Sequence, residues 1–199
     1  MIPRPLIIAV TAMLLLVLLL SIYLHHIRKR TAEIQAAASD TRPVSPPVTG
    51  ADEPVTLYVA YDDSGILHPQ AARIALPAGQ QQRAEELLRA LLNIYLDKSS
   101  PHPIAPGSEI RNVYLVSPGF AVIDTNAAFA DGHRSGILVE ELTLASLLQS
   151  LTANVAGINR VRILVDGRSR ETLAGHADLA DSYDLSGIRT MAAQLQSGQ

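Results

Sequence analysis

His176 and Asp178 stand two residues apart near the end of the chain, and an imidazole beside a carboxylate can relay a proton or offer two metal ligands. Beside that chemistry stands a simpler reading. The pair follows a turn after the last expected strand, no cysteine or other nucleophile lies near it, and a hydrogen bond within the chain end accounts for both residues. Asp178, Asp181 and Asp184 put three carboxylates within reach of a calcium ion, but the Asp-x-Asp-x-Asp-Gly spacing and a closing Glu are missing, so they read as turn caps. His133 lies in a polar loop, residues 131–136, of the kind that carries binding residues; an exposed loop histidine is otherwise solvent-facing. Asp124, followed by Thr125 and Asn126, and Asp166, followed by Gly167, suit Asx turns that satisfy local backbone donors. No G-x-S-x-G elbow, phosphate-cradling glycine loop or H-E-x-x-H motif occurs. The expectation is no catalytic set, no cofactor and no metal, with Asp124, His133, Asp166, Gly167, His176 and Asp178 as candidate binding or structural-motif residues. The rival is a small hydrolase or metal-dependent enzyme that uses His176 and Asp178, joined by His133.

The elements that would position these residues begin at Val55. Val55, Leu57, Val59 and Tyr61 alternate with Thr56, Tyr58 and Ala60, the period of a strand with one buried face. Asp62, Asp63, Ser64 and Gly65 supply turn chemistry, and a loop region follows past Pro69 and Pro77 with a small strand at 73–76. Ala84, Leu87, Leu88, Leu91, Leu92 and Tyr95 recur at helical spacing and predict a helix over 82–96. Strands are expected at 109–117 and 120–125, joined through Pro118 and Gly119, a pair suited to a type II turn. Leu144, Leu147, Leu148, Leu151 and Val155 mark a second helix over 138–155, with Glu140 and Glu141 in its first turn, where the helix dipole favours carboxylates. A last strand at 160–165 turns at Asp166 and Gly167. The order strand, helix, strand, strand, helix, strand predicts a compact α+β sandwich of the split βαβ kind, with both helices on one face of the sheet.

Ahead of this domain, residues 6–24, from Leu6 to Leu24, hold no charged side chain and as a helix would cover roughly 28 Å, the thickness of a bilayer core. A cleaved signal peptide is the competing reading. No small-x-small site follows, however, and the run exits through His25, His26, Ile27, Arg28, Lys29 and Arg30, an interface anchor. The chain therefore divides into an anchor with its basic flank over 1–30, a tether rich in Pro, Ala and Ser over 31–54, a domain over 55–186 and a tail over 187–199. Extended, the tether reaches on the order of 70 Å. The basic flank outnumbers Arg4 and the terminal amine, which favours a cytoplasmic domain under the positive-inside rule. A net charge of −3 with scattered basic residues leaves no footprint for nucleic acid. The absence of cysteine excludes disulfides, thiolate metal sites and a lipidated cysteine.

Residues 159–186, NRVRILVDGRSRETLAGHADLADSYDLS, resemble the closing segment of the GerMN domain family, with its V-x-I-L-V-D-G strand and G-H-x-D-L stretch. The opening VTLYVAYDDSGILHPQ, the hairpin PGFAVIDTNAAF and the helix end SLTANVAGINRV resemble the corresponding parts of that domain, in order and over residues 55–186. The resemblance implies a non-enzymatic, extracytoplasmic α/β module of the bacterial cell envelope, similar in topology to ring-building folds, with an envelope protein, peptidoglycan or a second copy as partner. Together with the apolar run of residues 6–24, which gives a single-pass protein of the cytoplasmic (inner) membrane, the resemblance implies that the C-terminal domain is periplasmic, against the arginine count. The chain lacks the lipidated cysteine and the tandem arrangement of better-known members, so a role in germination is not carried over.

Overall fold

The computed structural model describes residues 50–116 and 118–197. The elements below all belong to the unit Pro47–Gln199. The expected anchor and most of the expected tether lie outside the described residues. Among the described residues no helix is long and apolar enough to cross a membrane.

The fold is mixed α+β with two sheets. Strands β1 (Ala51–Tyr61) and β2 (Ile66–Leu76) form an antiparallel hairpin in continuous register, Ala51 against Leu76 and Tyr61 against Ile66. Helix α1 (Gln80–Leu96) follows and buries Ala84, Leu87, Leu88, Leu91, Leu92 and Tyr95, the stripe its periodicity predicts. Strands β3 (Ile110–Val116) and β4 (Phe120–Thr125) pair as a hairpin. Its turn needs Gly119, which has φ +74° and would place an added Cβ 2.6 Å from Asn159 Nδ2. After the short helix α2 (Ala127–Asp131) and the long helix α3 (Ile137–Asn154), strand β5 (Arg160–Val165) returns parallel to β4. Strand β6 (Tyr183–Asp184) and helix α4 (Leu185–Ser197) complete the chain. The second sheet has the order β3-β4-β5-β6.

Three differences from the sequence reading have physical causes. The first strand does not join the main sheet. It pairs with β2, a full strand of which only the last four residues carried a signal, because Pro69 and the exposed His68, Ala71, Arg73 and Ala75 blur the alternation. The first strand also starts at Ala51, so Pro54 lies in an edge strand, where its missing N–H is tolerated. Finally, the segment read as a tail is α4, which buries Ile188, Ala192 and Leu195 at helical spacing against α3 and β2.

Helix α3 is the centre of the molecule. Leu142, Thr143, Leu144, Ala145, Ser146, Leu147, Leu148, Ser150 and Leu151 are all buried, which is the pattern of a helix enclosed on every side. It packs against β1, α1, α4 and β2. Ser146, Ser150 and Asn154, four residues apart, line up on the face toward β1. Ser150 Oγ accepts from Tyr58 N at 2.8 Å, Asn154 Oδ1 accepts from Thr56 N at 3.0 Å, Asn154 Nδ2 donates to Thr56 O at 2.7 Å and Ser146 Oγ donates to Tyr58 O at 2.5 Å. These side chains satisfy the edge that a neighbouring strand would otherwise take.

Candidate functional site

Four connections meet at the end of β1: the β1–β2 turn, the loop after α1, the α2–α3 loop and the segment after β5. Asp62 is placed by the end of β1, and its amide donates to Pro101 O at 3.0 Å, which brings His102 alongside. His102 Nδ1 lies 2.6 Å from Asp62 Oδ1, and His102 Nε2 lies 2.6 Å from Thr143 Oγ1 on α3. His133 Nε2 approaches the same hydroxyl at 2.8 Å, and His133 Nδ1 donates to Arg134 O at 2.7 Å. Arg134 closes the circuit by pairing with the second oxygen of Asp62.

Burial governs the electrostatics here. His102 and Thr143 are wholly buried, and His133 nearly so. Burial lowers the pKa of His102, opposed by the Asp62 carboxylate, and lowers that of His133, opposed by its bond to the Arg134 carbonyl. Burial raises the pKa of Asp62, but the bonds from Arg134 and His102 prevail and hold it below the usual carboxylate range.

Beside this network sits Glu140, its carboxylate fully enclosed. Its Oε2 accepts from the amides of Ala174, His176 and Ala177 at 3.0, 3.0 and 2.9 Å. Its Oε1 accepts from Gly136 N at 3.1 Å and faces His176 Nδ1 at 3.0 Å. Burial pushes this acid up, yet the bonds from Ala177, Ala174, His176 and Gly136 outweigh it and hold its pKa at about 2. Glu140 was expected at a helix N-terminus for its charge; its larger role is to fold residues 174–177 around itself.

The sequence-derived candidates fall in separate places. His176 rests on Glu140 with 42 % of its side chain exposed. Asp178 Oδ1 accepts from Ala180 N at 2.7 Å, and Asp184 Oδ1 accepts from Gly187 N at 2.7 Å, while His133 is inside instead of facing solvent. His176, Asp178 and His133 therefore do not converge. Asp124 makes no local Asx turn; its Oδ1 accepts from Gly167 N at 2.7 Å and pins the turn of the adjacent strand. Asp166 has φ +50° and Gly167 +69°, the paired positive angles for which Asp-Gly is suited, and Asp166 pairs with Arg111 at 3.0 Å. The local cap after β4 is Asn126, which accepts from Phe129 N at 3.1 Å.

Asp62, His102 and Thr143 repeat the carboxylate–imidazole–hydroxyl order of a hydrolytic triad. Their surroundings do not. Thr143 Oγ1 is enclosed, bonds Val139 O at 3.0 Å and is shared with His133, and the hollows of about 430 and 580 Å³ near Asn93 and near Arg168 are not lined by any of the three. The network joins three connections to α3, and Glu140 adds the segment after β5. Sequence reasoning missed Asp62, His102 and Thr143; the available signal was a threonine on the leucine-rich, buried stretch of α3.

The family described as Sporulation and spore germination, Germane, matches residues 56–171. The chain belongs to the Germane family. Among solved structures, the tandem GerMN domains of the sporulation protein GerM from Bacillus subtilis match with TM-score 0.50 at 17% identity, over 67% of this chain and 46% of that one. The first GerMN domain of the same protein matches with TM-score 0.46 at 15% identity, over 67% and 98%. A structure titled as a putative lipoprotein from Clostridium perfringens matches with TM-score 0.48 at 19% identity, over 74% and 96%. No curated protein matches the chain. The Germane match confirms the GerMN-type domain that the sequence motifs resemble.

Proposed function

We propose that this chain is a membrane-tethered, non-enzymatic binding or assembly module on the extracytoplasmic side of the bacterial cytoplasmic membrane, with peptidoglycan or an envelope protein as partner. The observation that carries the reading is that the acid–base groups at the end of β1 are engaged by one another inside the protein. Asp62, His102, Thr143, His133 and Glu140 fix loop shape, as a recognition surface requires. Membership in the Germane family and the apolar run of residues 6–24 support it further. Strand β3 is an edge of the four-stranded sheet and leaves Tyr114 and Val116 exposed as an apolar border, while its Val113 amide donates to Glu85 of α1 at 3.2 Å.

The test is sedimentation of the detergent-solubilised full chain with purified peptidoglycan, alongside ultracentrifugation of the chain alone and with envelope extract. Retention on the wall polymer or concentration-dependent association is the expected result. A strictly monomeric chain that ignores both materials contradicts the reading. The basic cluster Arg28, Lys29 and Arg30 favours a second reading in which the same module faces the cytoplasm.

A further inference from the structure

The hydrogen bonds around Thr143 do not balance while both histidines are neutral. Asp62 Oδ1 and the Arg134 carbonyl only accept, so His102 and His133 each carry a proton on Nδ1 and present a bare Nε2 to Thr143. The threonine has one hydroxyl proton. Two ring nitrogens, at 2.6 and 2.8 Å, compete for it, with Val139 O a third acceptor at 3.0 Å. One ring nitrogen is therefore left facing an oxygen lone pair in a buried site, an arrangement that favours opening.

We propose that the Asp62–His102–Thr143–His133 network is a one-proton switch: a single proton taken from solvent by His102 Nε2 completes its hydrogen bonds and locks the α2–α3 loop. With that proton in place every donor points the same way. His102 donates from Nδ1 to Asp62 and from Nε2 to Thr143, Thr143 donates to His133 Nε2, and His133 donates from Nδ1 to Arg134 O. His102 is the receiving ring because its Nδ1 lies on a carboxylate, whereas that of His133 lies on a carbonyl.

The charged and titratable groups around the pair come from each neighbouring element. Asp62 on the β1–β2 turn favours charge on His102, Arg134 on the α2–α3 loop opposes it on both rings, and Glu140 on α3 favours it on His133. Tyr95 on α1 sets its ring against His102 at 4.9 Å and stays neutral, its pKa raised to about 12 by burial. Because burial lowers both histidines, the proton arrives on acidification below the ordinary histidine range. When it leaves, His133 is the ring that lets go, since it sits on a loop while His102 is wholly enclosed. The release reaches Arg134 on Asp62 and Gly136 on Glu140, both on the same loop.

The test uses the full chain labelled with nitrogen-15 on histidine and on the backbone, followed by NMR from about pH 8 down to about pH 4, well below the ordinary histidine range. One ring of the pair takes up a proton while the other keeps the Nδ1–H tautomer. In the same step the protection factors of the Gly132, His133 and Gly136 amides rise by about fivefold or more, the worth of one hydrogen bond. Thr143→Val abolishes the rise and Thr143→Ser retains it. Two neutral rings with constant protection, both rings charging in one step, falling protection on acidification, or an unchanged rise in Thr143→Val would overturn the proposal. The native-chain titration decides it if Thr143→Val does not fold.

Discussion

Glu140 is the residue on which the end of the molecule depends most. A buried carboxylate facing three backbone amides of one short segment, a fourth from Gly136 and an imidazole is held by charge-assisted bonds worth about 1.5–3 kcal/mol each. Glu140→Gln removes the charge and turns one acceptor into a donor that faces other donors. A loss of about 3 kcal/mol in chemical denaturation is expected. His176→Ala, by contrast, removes a side chain 42 % exposed and should cost under about 1 kcal/mol, which separates a supporting imidazole from an essential one. The pH dependence has a definite sign. The folded pKa of Glu140, about 2, lies below its ordinary 4.5, so its contribution is full above about 4.5 and is lost as the pH falls toward 2. Thermal melts of native chain and Glu140→Gln should therefore converge over that window. A gap that stays constant down to about pH 2 contradicts the assignment.

At the scale of elements, α3 serves as both core and strand partner. Asn154→Ala removes bonds to both backbone groups of Thr56 and should cost about 1–2 kcal/mol, with faster amide exchange at Thr56 as the local signature. Helix α4 is bound through Ile188, Ala192 and Leu195, so Ile188→Ala should destabilise by about 2–4 kcal/mol, whereas a true tail would show no effect. The same elements show what a sequence can reveal. β1, α1, the β3–β4 hairpin and β5 were legible because each buries one face at its own period, and α3 because its leucines recur at helical spacing even though it is enclosed on every side. β2 was not, since a half-exposed strand interrupted by Pro69 has little apolar alternation. The network at the end of β1 was hidden for another reason. Each step of the network, from Asp62 to His102 and from His102 to Thr143, spans about forty residues, His102 stands between two prolines that read as a chain break, and Thr143 lies among the leucines of α3. Local spacing favoured His176 and Asp178, whose partners are Glu140 and Ala180 instead of each other.

Across the whole molecule, the central claim is a Germane module carried outside the cytoplasm on an apolar N-terminal segment. Strand β1 runs from Ala51 to the loop cluster at Tyr61, roughly 33 Å at 3.3 Å per residue. The loop cluster thus lies at the end of β1 away from Ala51. Everything in that picture turns on the side of the membrane, where the basic cluster after the apolar run argues inward and the family resemblance outward. The most direct measurement is alkaline phosphatase fused after Gln199 in the full-length chain and expressed in a bacterial host with a periplasm. The account predicts an active enzyme in intact cells; an inactive fusion present in normal amount would place the domain in the cytoplasm and contradict it.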